Sequence, residues 1–420
     1  MSTITIQRQG HLAIRIEHSP VVASGPALSP VPPRRLVAVF VVTQTFGFVG
    51  LMGVFPILLG PMADDLGHSR TALAVATTIS TLAGTLAGFP VGRLLDRGNG
   101  RLTMTAGAAL GVLGVLLWAR ADGLPGLYAA FVVIGISQAM SMYEAAFAVI
   151  VAATDRAGRQ RAILTMTMIV GLTTYLASPL MGWLEVRLGW RGALVVLAVA
   201  MLVTMVPGHL WAIPTRTTYQ ARAELRTGMA LRQAVGSRDF WLLTVSFTAQ
   251  AASMAAVLTM LVTYLRDIGH TAMAATSIPV AIGVLQIAAR FALTAVGHRV
   301  TVAVVCVGAF LAQGAGMMLL PLVGLSVTLS VACVAAVGLG NGIGVIARPV
   351  VVADSFGTTE FATIMAVLAI PMALARASCP LLATWIGDGR FLVVFGAVSM
   401  LAAVVLVPVA RRARKGPAYA

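Results

Sequence analysis

The feature that most constrains this chain is a series of twelve apolar runs, each long enough to cross a lipid bilayer. A bilayer core of about 30 Å needs roughly 20 apolar residues in a helix. Only 10% of the 420 residues are charged, whereas a soluble domain carries about 25%. The sequence therefore predicts an all-α membrane protein with 12 transmembrane helices. Their approximate cores are 36–59, 71–91, 102–119, 126–150, 162–184, 192–213, 240–265, 273–296, 301–322, 326–347, 361–386 and 391–410.

The distribution of basic residues orients these spans, because lysine and arginine are retained on the cytoplasmic side. Of 29 such residues, 21 fall on the side of the N-terminus, Arg348 among them, and six on the opposite side. Arg290 and Arg376 remain inside spans. We expect both termini to be cytoplasmic, in a multi-pass protein of the cytoplasmic (inner) membrane. The net charge of +15 is spread between apolar runs, which argues against a nucleic-acid partner.

The chain reads as a duplication of six spans. The segment "DDLGHS" (64–69) after span 1 matches "RDIGHT" (266–271) after span 7, and "SPLMGW" (178–183) in span 5 parallels "CPLLAT" (379–384) in span 11. This organisation predicts two pseudo-symmetric six-helix bundles, at 36–213 and 240–410, joined by a cytoplasmic linker at 214–239. Residues 1–35 and 411–420 read as a flexible cytoplasmic tail and a basic cytoplasmic tail. Parallel repeats of this kind are typical of transporters with a site between the halves.

Arg290 and Arg376 are candidates for binding a substrate anion, since a charge inside the membrane by default marks a pathway. Gln286 lies one turn before Arg290 on the same helical face. For both arginines the alternative is structural: an internal ion pair, a contact with a carbonyl, or snorkelling of Arg290 to the interface. Tyr175 is the counterpart of Arg376 in the first half of the repeat, so Tyr175 joins the candidate substrate-binding set.

Glu144, with its neighbour Tyr143, is the candidate for proton coupling. Two interpretations are open for Glu144: a proton site whose carboxyl pKa is raised by desolvation, or a permanent partner for an arginine. Gln44 and Gln250, in the first spans of the two halves, either face a central cavity or join neighbouring helices by hydrogen bonds.

Nothing in the sequence predicts chemistry on a substrate. There is no Walker lysine, no histidine cluster at metal-ligand spacing and no Ser-His-Asp candidate above chance. The three cysteines lie within apolar runs, where cysteine behaves as a small hydrophobe. We therefore expect no enzyme activity, no cofactor and no metal. The expected partners are a small-molecule substrate, the lipid bilayer, and protons or a counter-transported anion, with the chain acting as a monomer.

The segment "GRLLDRGNGR" (92–101) between spans 2 and 3 resembles the G-x-x-x-D-[RK]-x-G-[RK]-[RK] signature of the major facilitator superfamily. Gly92, Asp96, Arg97 and Arg101 occupy matching positions, while Asn99 and Gly100 depart from the pattern. The resemblance implies the major facilitator fold over residues 36–410. It also implies that this loop latches the halves together on the cytoplasmic side, with Asp96 as the anionic element.

Two narrower resemblances concern the arginines. "QIAAR" (286–290) in span 8 is similar to the D-x-x-x-R element of monocarboxylate transporters, with Gln286 in place of the aspartate. An arginine in span 8 and a cation in span 11 also resemble the oxalate:formate antiporters, which bind a dicarboxylate between the two. These similarities imply an anionic cargo bound by Arg290 and Arg376.

The sequence is therefore compatible with three functions. The first is a secondary active transporter that moves a small organic anion, such as a carboxylate, by alternating access, with proton coupling or exchange. The second is efflux of a drug or metabolite by proton antiport, with the arginines paired internally. The third is a membrane sensor or scaffold that transports nothing.

Overall fold

The chain is helical nearly throughout, as lipid requires, because a helix satisfies its own backbone hydrogen bonds where no water is present. The computed structural model describes residues 33–154, 156–215, 228–296, 301–387 and 389–413. The N-terminal tail, most of the linker and the end of the basic tail lie outside the described residues.

The first six spans form one bundle. Span 1 comprises Pro33–Phe48, a π-helical turn at Val49–Gly53 and Phe55–Leu66. Span 2 is Arg70–Asp96, span 3 is Gly100–Ala119, and span 4 comprises Leu124–Ser141 and Tyr143–Ala153. Spans 5 and 6 lie within Arg156–Ala212, where the chain turns back at Gly189 (φ 68°, ψ 168°).

The last six spans form the second bundle, preceded by a short helix at Leu231–Gly236. Span 7 is Arg238–Asp267, span 8 comprises Ala272–Ser277 and Val280–Val296, and span 9 is Val302–Val323. Span 10 is Val327–Phe356, span 11 is Phe361–Ile386 and span 12 is Arg390–Ala413. Within the described residues, 11 helical segments are long and apolar enough to cross a membrane. The helical segment before Gly189 provides the remaining span, and the predicted fold class is confirmed.

The duplication is visible where the first span of each half ends. Gly67 and Gly269, which are equivalent in the repeat, both adopt positive φ values, of 63° and 101°. Glycine takes this conformation without the steric cost that other residues meet. Two residues later, Ser69 and Thr271 each accept a hydrogen bond from a backbone N–H three residues on, at 3.2 Å, and so cap the next helix.

One assignment from the sequence is wrong. Arg348 was counted among the basic residues outside the spans, but it lies inside span 10, eight residues before its end at Phe356, and is only 8% exposed. The apolar run continues beyond it through Pro349–Ala353, and Pro349 lies inside the helix without ending it. Span 10 is therefore longer than its predicted core, and Arg348 joins Arg290 and Arg376 inside the spans.

Candidate functional site

The ends of spans 2 and 11 join the two bundles on the side of the membrane where the described chain begins and ends, here called the termini side. The Asp96 carboxylate accepts hydrogen bonds from the backbone N–H of Ala362 at 3.0 Å and of Thr363 at 2.8 Å. It also accepts one from the Thr363 hydroxyl at 2.6 Å. These N–H groups belong to the first turn of span 11, where the helix dipole favours an anion. Asp96 thus links the halves electrostatically.

Glycines make this approach possible. A Cβ atom at Gly92 would lie 2.9 Å from the Ala362 carbonyl oxygen and 3.0 Å from the Thr363 Cα, so span 11 fits only against a bare backbone. Gly98 has a φ of 85° in the turn that follows. Of the other residues that match the signature, Arg97 is exposed and Arg101 is partly buried.

Deeper in the membrane, Arg290 of span 8 reaches across to the first bundle. Its Nη1 donates to the Thr167 carbonyl of span 5 at 2.5 Å, and the residue is only 4% exposed. A Cβ at Gly171, one turn along span 5, would lie 2.8 Å from the same Nη1. Arg290 is therefore buried between the halves, held by a backbone carbonyl of the opposite bundle.

Glu144 and Arg348 form an ion pair between span 4 and span 10. The Arg348 Nη2 donates to the Glu144 Oε1, and the Nη1 contacts the Met372 sulfur of span 11 at 3.4 Å. The Glu144 side chain is 42% exposed and that of Arg348 is 10% exposed. Glu144 lies nine residues before the end of span 4, which is about 14 Å along the helix axis. The pair therefore lies well inside the membrane.

Arg376 is the exposed cation of the site. It follows Met372 by one turn and shares a helical face with Met365 and Ala383, both of which are buried. Its guanidinium is exposed, with no hydrogen-bond or ion-pair partner among the described residues, yet it lies within the electrostatic reach of Arg348 and Glu144. Arg376 therefore lies near the ion pair that joins the halves.

Tyr143 precedes Glu144 at the start of the second helix of span 4. Its ring stacks on Phe147, with centroids 5.5 Å apart and an interplanar angle of 14°, and it is tilted against Phe48 at 6.2 Å. The Tyr143 hydroxyl also lies in the field of Arg290. We call Tyr143, Glu144, Arg290, Arg348 and Arg376 the central site.

The remaining predicted residues lie elsewhere. Gln286 is partly buried and packs against span 10, where a Cβ at Gly342 would lie 2.7 Å from the Gln286 carbonyl oxygen. Gln44 is fully buried between spans 1 and 4, and Gln250 is 6% exposed beside Gly344 of span 10. The side chain of Tyr175 lies outside the described residues.

The central site carries three guanidinium groups and one carboxylate. All three cations come from the second bundle and the carboxylate comes from the first, so the site has a surplus of positive charge. A cation buried at this depth is stable when it is paired or faces a water-filled pathway. In the part of the chain that the structure describes, no group of three or more His, Cys, Asp or Glu side chains could hold a metal ion.

The fold places charged residues where two six-helix bundles meet, an arrangement typical of membrane transporters. A family model for the Major Facilitator Superfamily matches residues 40–343, and the chain belongs to that superfamily. Membership gives it a transport role, in which a small-molecule substrate crosses a lipid bilayer. No curated protein sequence gives a significant match.

Two solved structures show the same fold. The human organic anion transporter MFSD10 (TETRAN) aligns with a TM-score of 0.70 at 16% identity, covering 89% of this chain and 99% of that one. A bacterial homologue of the iron transporter ferroportin, in an outward-facing state with soaked iron, aligns with a TM-score of 0.69 at 14% identity, covering 91% and 99%. At these identities the likeness concerns the fold alone.

Arg348 is the residue of the central site that the sequence interpretation missed. The signal was present in the duplication. Glu144 and Arg348 are 204 residues apart, close to the offset of about 202 that relates the two halves. Opposite charges in the matching spans 4 and 10 indicate a pair across the interface.

Proposed function

We propose that this chain is a secondary active transporter that moves a small organic anion, of the carboxylate class, by alternating access. The observation that carries the proposal is the exposed guanidinium of Arg376 in a site with three arginines and one carboxylate. A carboxylate bound at Arg376 offsets the surplus charge and the cost of holding a cation in the membrane. Among the relatives in fold, MFSD10 is an organic anion transporter, which agrees with this cargo class.

Alternating access follows from where the halves meet. We propose that residues 36–213 and 240–410 move as the two units, joined by the linker at 214–239. The contacts of Asp96 with span 11 join the halves at the termini side. The contacts of Arg290 with Thr167 and of Glu144 with Arg348 join them deeper in the membrane. Opening that side breaks all three contacts and frees Arg290 and Arg348 to face the cargo.

Glu144 supplies the coupling in this scheme. While Glu144 is paired with Arg348, the guanidinium offsets the charge of its carboxylate. When the pair separates, the carboxylate loses its partner, and a proton takes the place of the guanidinium in this scheme. Net movement then accompanies a proton, whereas exchange of one anion for another proceeds without one. We place the protein in the cytoplasmic membrane with both termini inside, in accordance with the basic residues.

The experiment is uptake into proteoliposomes with radiolabelled mono- and dicarboxylates and, in parallel, a cationic dye. The proposal predicts saturable carboxylate uptake that falls at least tenfold in Arg376→Gln and recovers in part in Arg376→Lys. Arg412→Gln, at an exposed pair with Asp239, is the matched control and should leave uptake unchanged. Dye transport that persists in Arg376→Gln without any carboxylate uptake would replace the proposal with efflux. No flux of any probe, with a folded protein, would favour a sensor.

A further inference from the structure

Two spans of the first bundle are interrupted at the same level. Span 1 changes to a π-helical turn at Val49–Gly53, closed by a hydrogen bond from the Val54 N–H to the Val49 carbonyl at 3.0 Å. Span 4 stops at Ser141 and restarts at Tyr143, with Met142 extended (φ −89°, ψ −165°). Irregular backbone at membrane depth is tolerated where protein buries it or where it lines a cavity, and π-turns are frequent at functional sites.

Two glutamines join these interruptions in a crossed pattern. The amide Nε2 of Gln44 in span 1 donates to the Ser141 carbonyl of span 4 at 2.7 Å. In return, the amide Nε2 of Gln138 in span 4 donates to the Leu51 carbonyl of span 1 at 2.8 Å. Each span therefore supplies the donor for a carbonyl at the interruption of the other. We call these two residues the glutamine clasp.

The sequence around the clasp permits this close approach. A Cβ at Gly47 would lie 2.8 Å from the Met142 sulfur and 3.0 Å from the Met205 methyl group, so the glycine leaves room for these two side chains against span 1. Methionine is flexible and fills irregular spaces. The interruption is thus a packed feature of the bundle and not a gap in it.

The interruption determines where Glu144 points. A helix advances by about 100° per residue, so one extended residue at Met142 resets the rotational phase of everything that follows. Tyr143 and Glu144 form the first turn of the restarted helix. With a continuous span 4, Glu144 would project in a different direction from the one that meets Arg348.

We propose that Gln44 and Gln138 are positioning residues of the central site: their crossed hydrogen bonds hold the interruption of span 4, and the interruption directs Glu144 toward Arg348. The assignment rests on the proposed transport site, but it concerns only the geometry of the ion pair. Neither glutamine touches the cargo in this account.

The second bundle shows that the clasp is not a general requirement of the fold. Span 10, the counterpart of span 4, is one helix through Arg348 to Phe356. The Nε2 of Gln250, in the first span of the other half, has no hydrogen-bond partner among the described residues. Gln313 of span 9 is fully buried, and both of its amide atoms also lack partners within that part of the chain.

The test measures how the clasp affects the ion pair, by thermal unfolding of the full chain in detergent. Glu144→Gln is introduced into the wild type, Gln44→Leu, Gln138→Leu and, as the matched control, Gln313→Leu. We expect Glu144→Gln to lower the midpoint by the same amount in the wild type and the Gln313→Leu protein. In both clasp variants we expect at least half of that shift to be lost.

Milder changes keep the test decisive if a leucine variant does not fold. Gln44→Asn and Gln138→Asn retain the amide but shorten its reach by one methylene, and the same loss of shift is expected. An equal midpoint shift in all backgrounds would overturn the positioning role, whatever the cargo. Because this measurement uses no cargo, its failure is distinct from a failure of carboxylate uptake, which would overturn the proposed function alone.

Discussion

The two halves repeat each other in backbone but differ in charge at the place where they meet. Span 4 of the first half presents a carboxylate, Glu144, and is interrupted just before it. Span 10 of the second half presents a guanidinium, Arg348, on an unbroken helix. The second half adds two further cations, Arg290 and Arg376. Duplication therefore preserved the scaffold, while the charges diverged into an acidic and a basic partner.

On the proposed function, this difference lets one interface both hold the halves together and bind a cargo. Opposite charges in the matching spans 4 and 10 join the halves inside the membrane, where Glu144 meets Arg348. The surplus cation, Arg376, remains exposed one turn beyond the Met372 sulfur that Arg348 contacts. A symmetric distribution, with an acid for every base, would leave no charge for a ligand.

Reversing the charge of Arg348 should have the largest effect on stability. Arg348→Glu places two carboxylates against each other inside the membrane, and we expect it to cost about 3–5 kcal/mol in the free energy of unfolding. The double variant Glu144→Arg/Arg348→Glu should recover more than half of that loss. Arg412→Glu, opposite Asp239 at a more exposed pair, should cost no more than about 1 kcal/mol. Denaturant titration in detergent measures the free energy of unfolding of all three variants. Equal losses in Arg348→Glu and Arg412→Glu would show that the central pair stabilises the protein no more than the exposed pair does.

Separating the halves at the latch should have the next largest effect. Gly92→Ala forces a Cβ against the Ala362 carbonyl oxygen, and we expect overpacking to cost about 1–3 kcal/mol. The closed termini side should loosen, so that a cysteine introduced at Ala366 is labelled faster by a soluble maleimide. Gly308→Ala is the control, because no atom lies within 4 Å of its added Cβ. Unchanged labelling in Gly92→Ala would mean that this contact does not hold the halves closed.

Removing the charge of Asp96 alone tests whether charge, rather than packing, holds the halves together at the latch. Asp96→Asn keeps the shape of the side chain but loses the charge that faces the start of span 11, and we expect a cost of about 0.5–2 kcal/mol. Labelling at the Ala366→Cys position should rise less than in Gly92→Ala. Asp64→Asn, an exposed aspartate on the opposite side of the membrane, serves as the control. Equal labelling in Asp96→Asn and Asp64→Asn would assign the closure to packing rather than to charge.

The smallest effect on stability is expected at the surplus cation. Arg376 has no ion-pair partner among the described residues, so Arg376→Gln should change the free energy of unfolding by no more than about 0.5 kcal/mol. A loss above about 2 kcal/mol, measured by the same denaturant titration, would mean that Arg376 is a structural residue. The contrast with Arg348→Glu distinguishes a residue that holds the halves together from one that binds the cargo.

The fold could be predicted from the sequence because membrane helices are recognised by their length and hydropathy. The repeat is also marked by glycine turns such as Gly67 and Gly269. Arg290, Arg376 and Glu144 stood out for a related reason, since charges are rare inside spans. Arg348 did not, because it follows an apolar run and precedes Pro349, a pattern that also marks a span end. The glutamine clasp was equally hidden, because an amide in a membrane helix has many partners within reach and only tertiary structure selects one.

The most direct measurement of the central claim is the charge selectivity of a thiol placed in the central site. The native cysteines are each no more than 8% exposed, so Tyr143→Cys supplies a reactive thiol beside Glu144 in an otherwise poorly accessible background. An anionic and a cationic methanethiosulfonate reagent of similar size are then compared. A surplus of guanidinium groups predicts that the anionic reagent reacts faster and that Arg376→Gln removes this preference. A faster reaction of the cationic reagent, or a preference that Arg376→Gln leaves intact, would contradict the account.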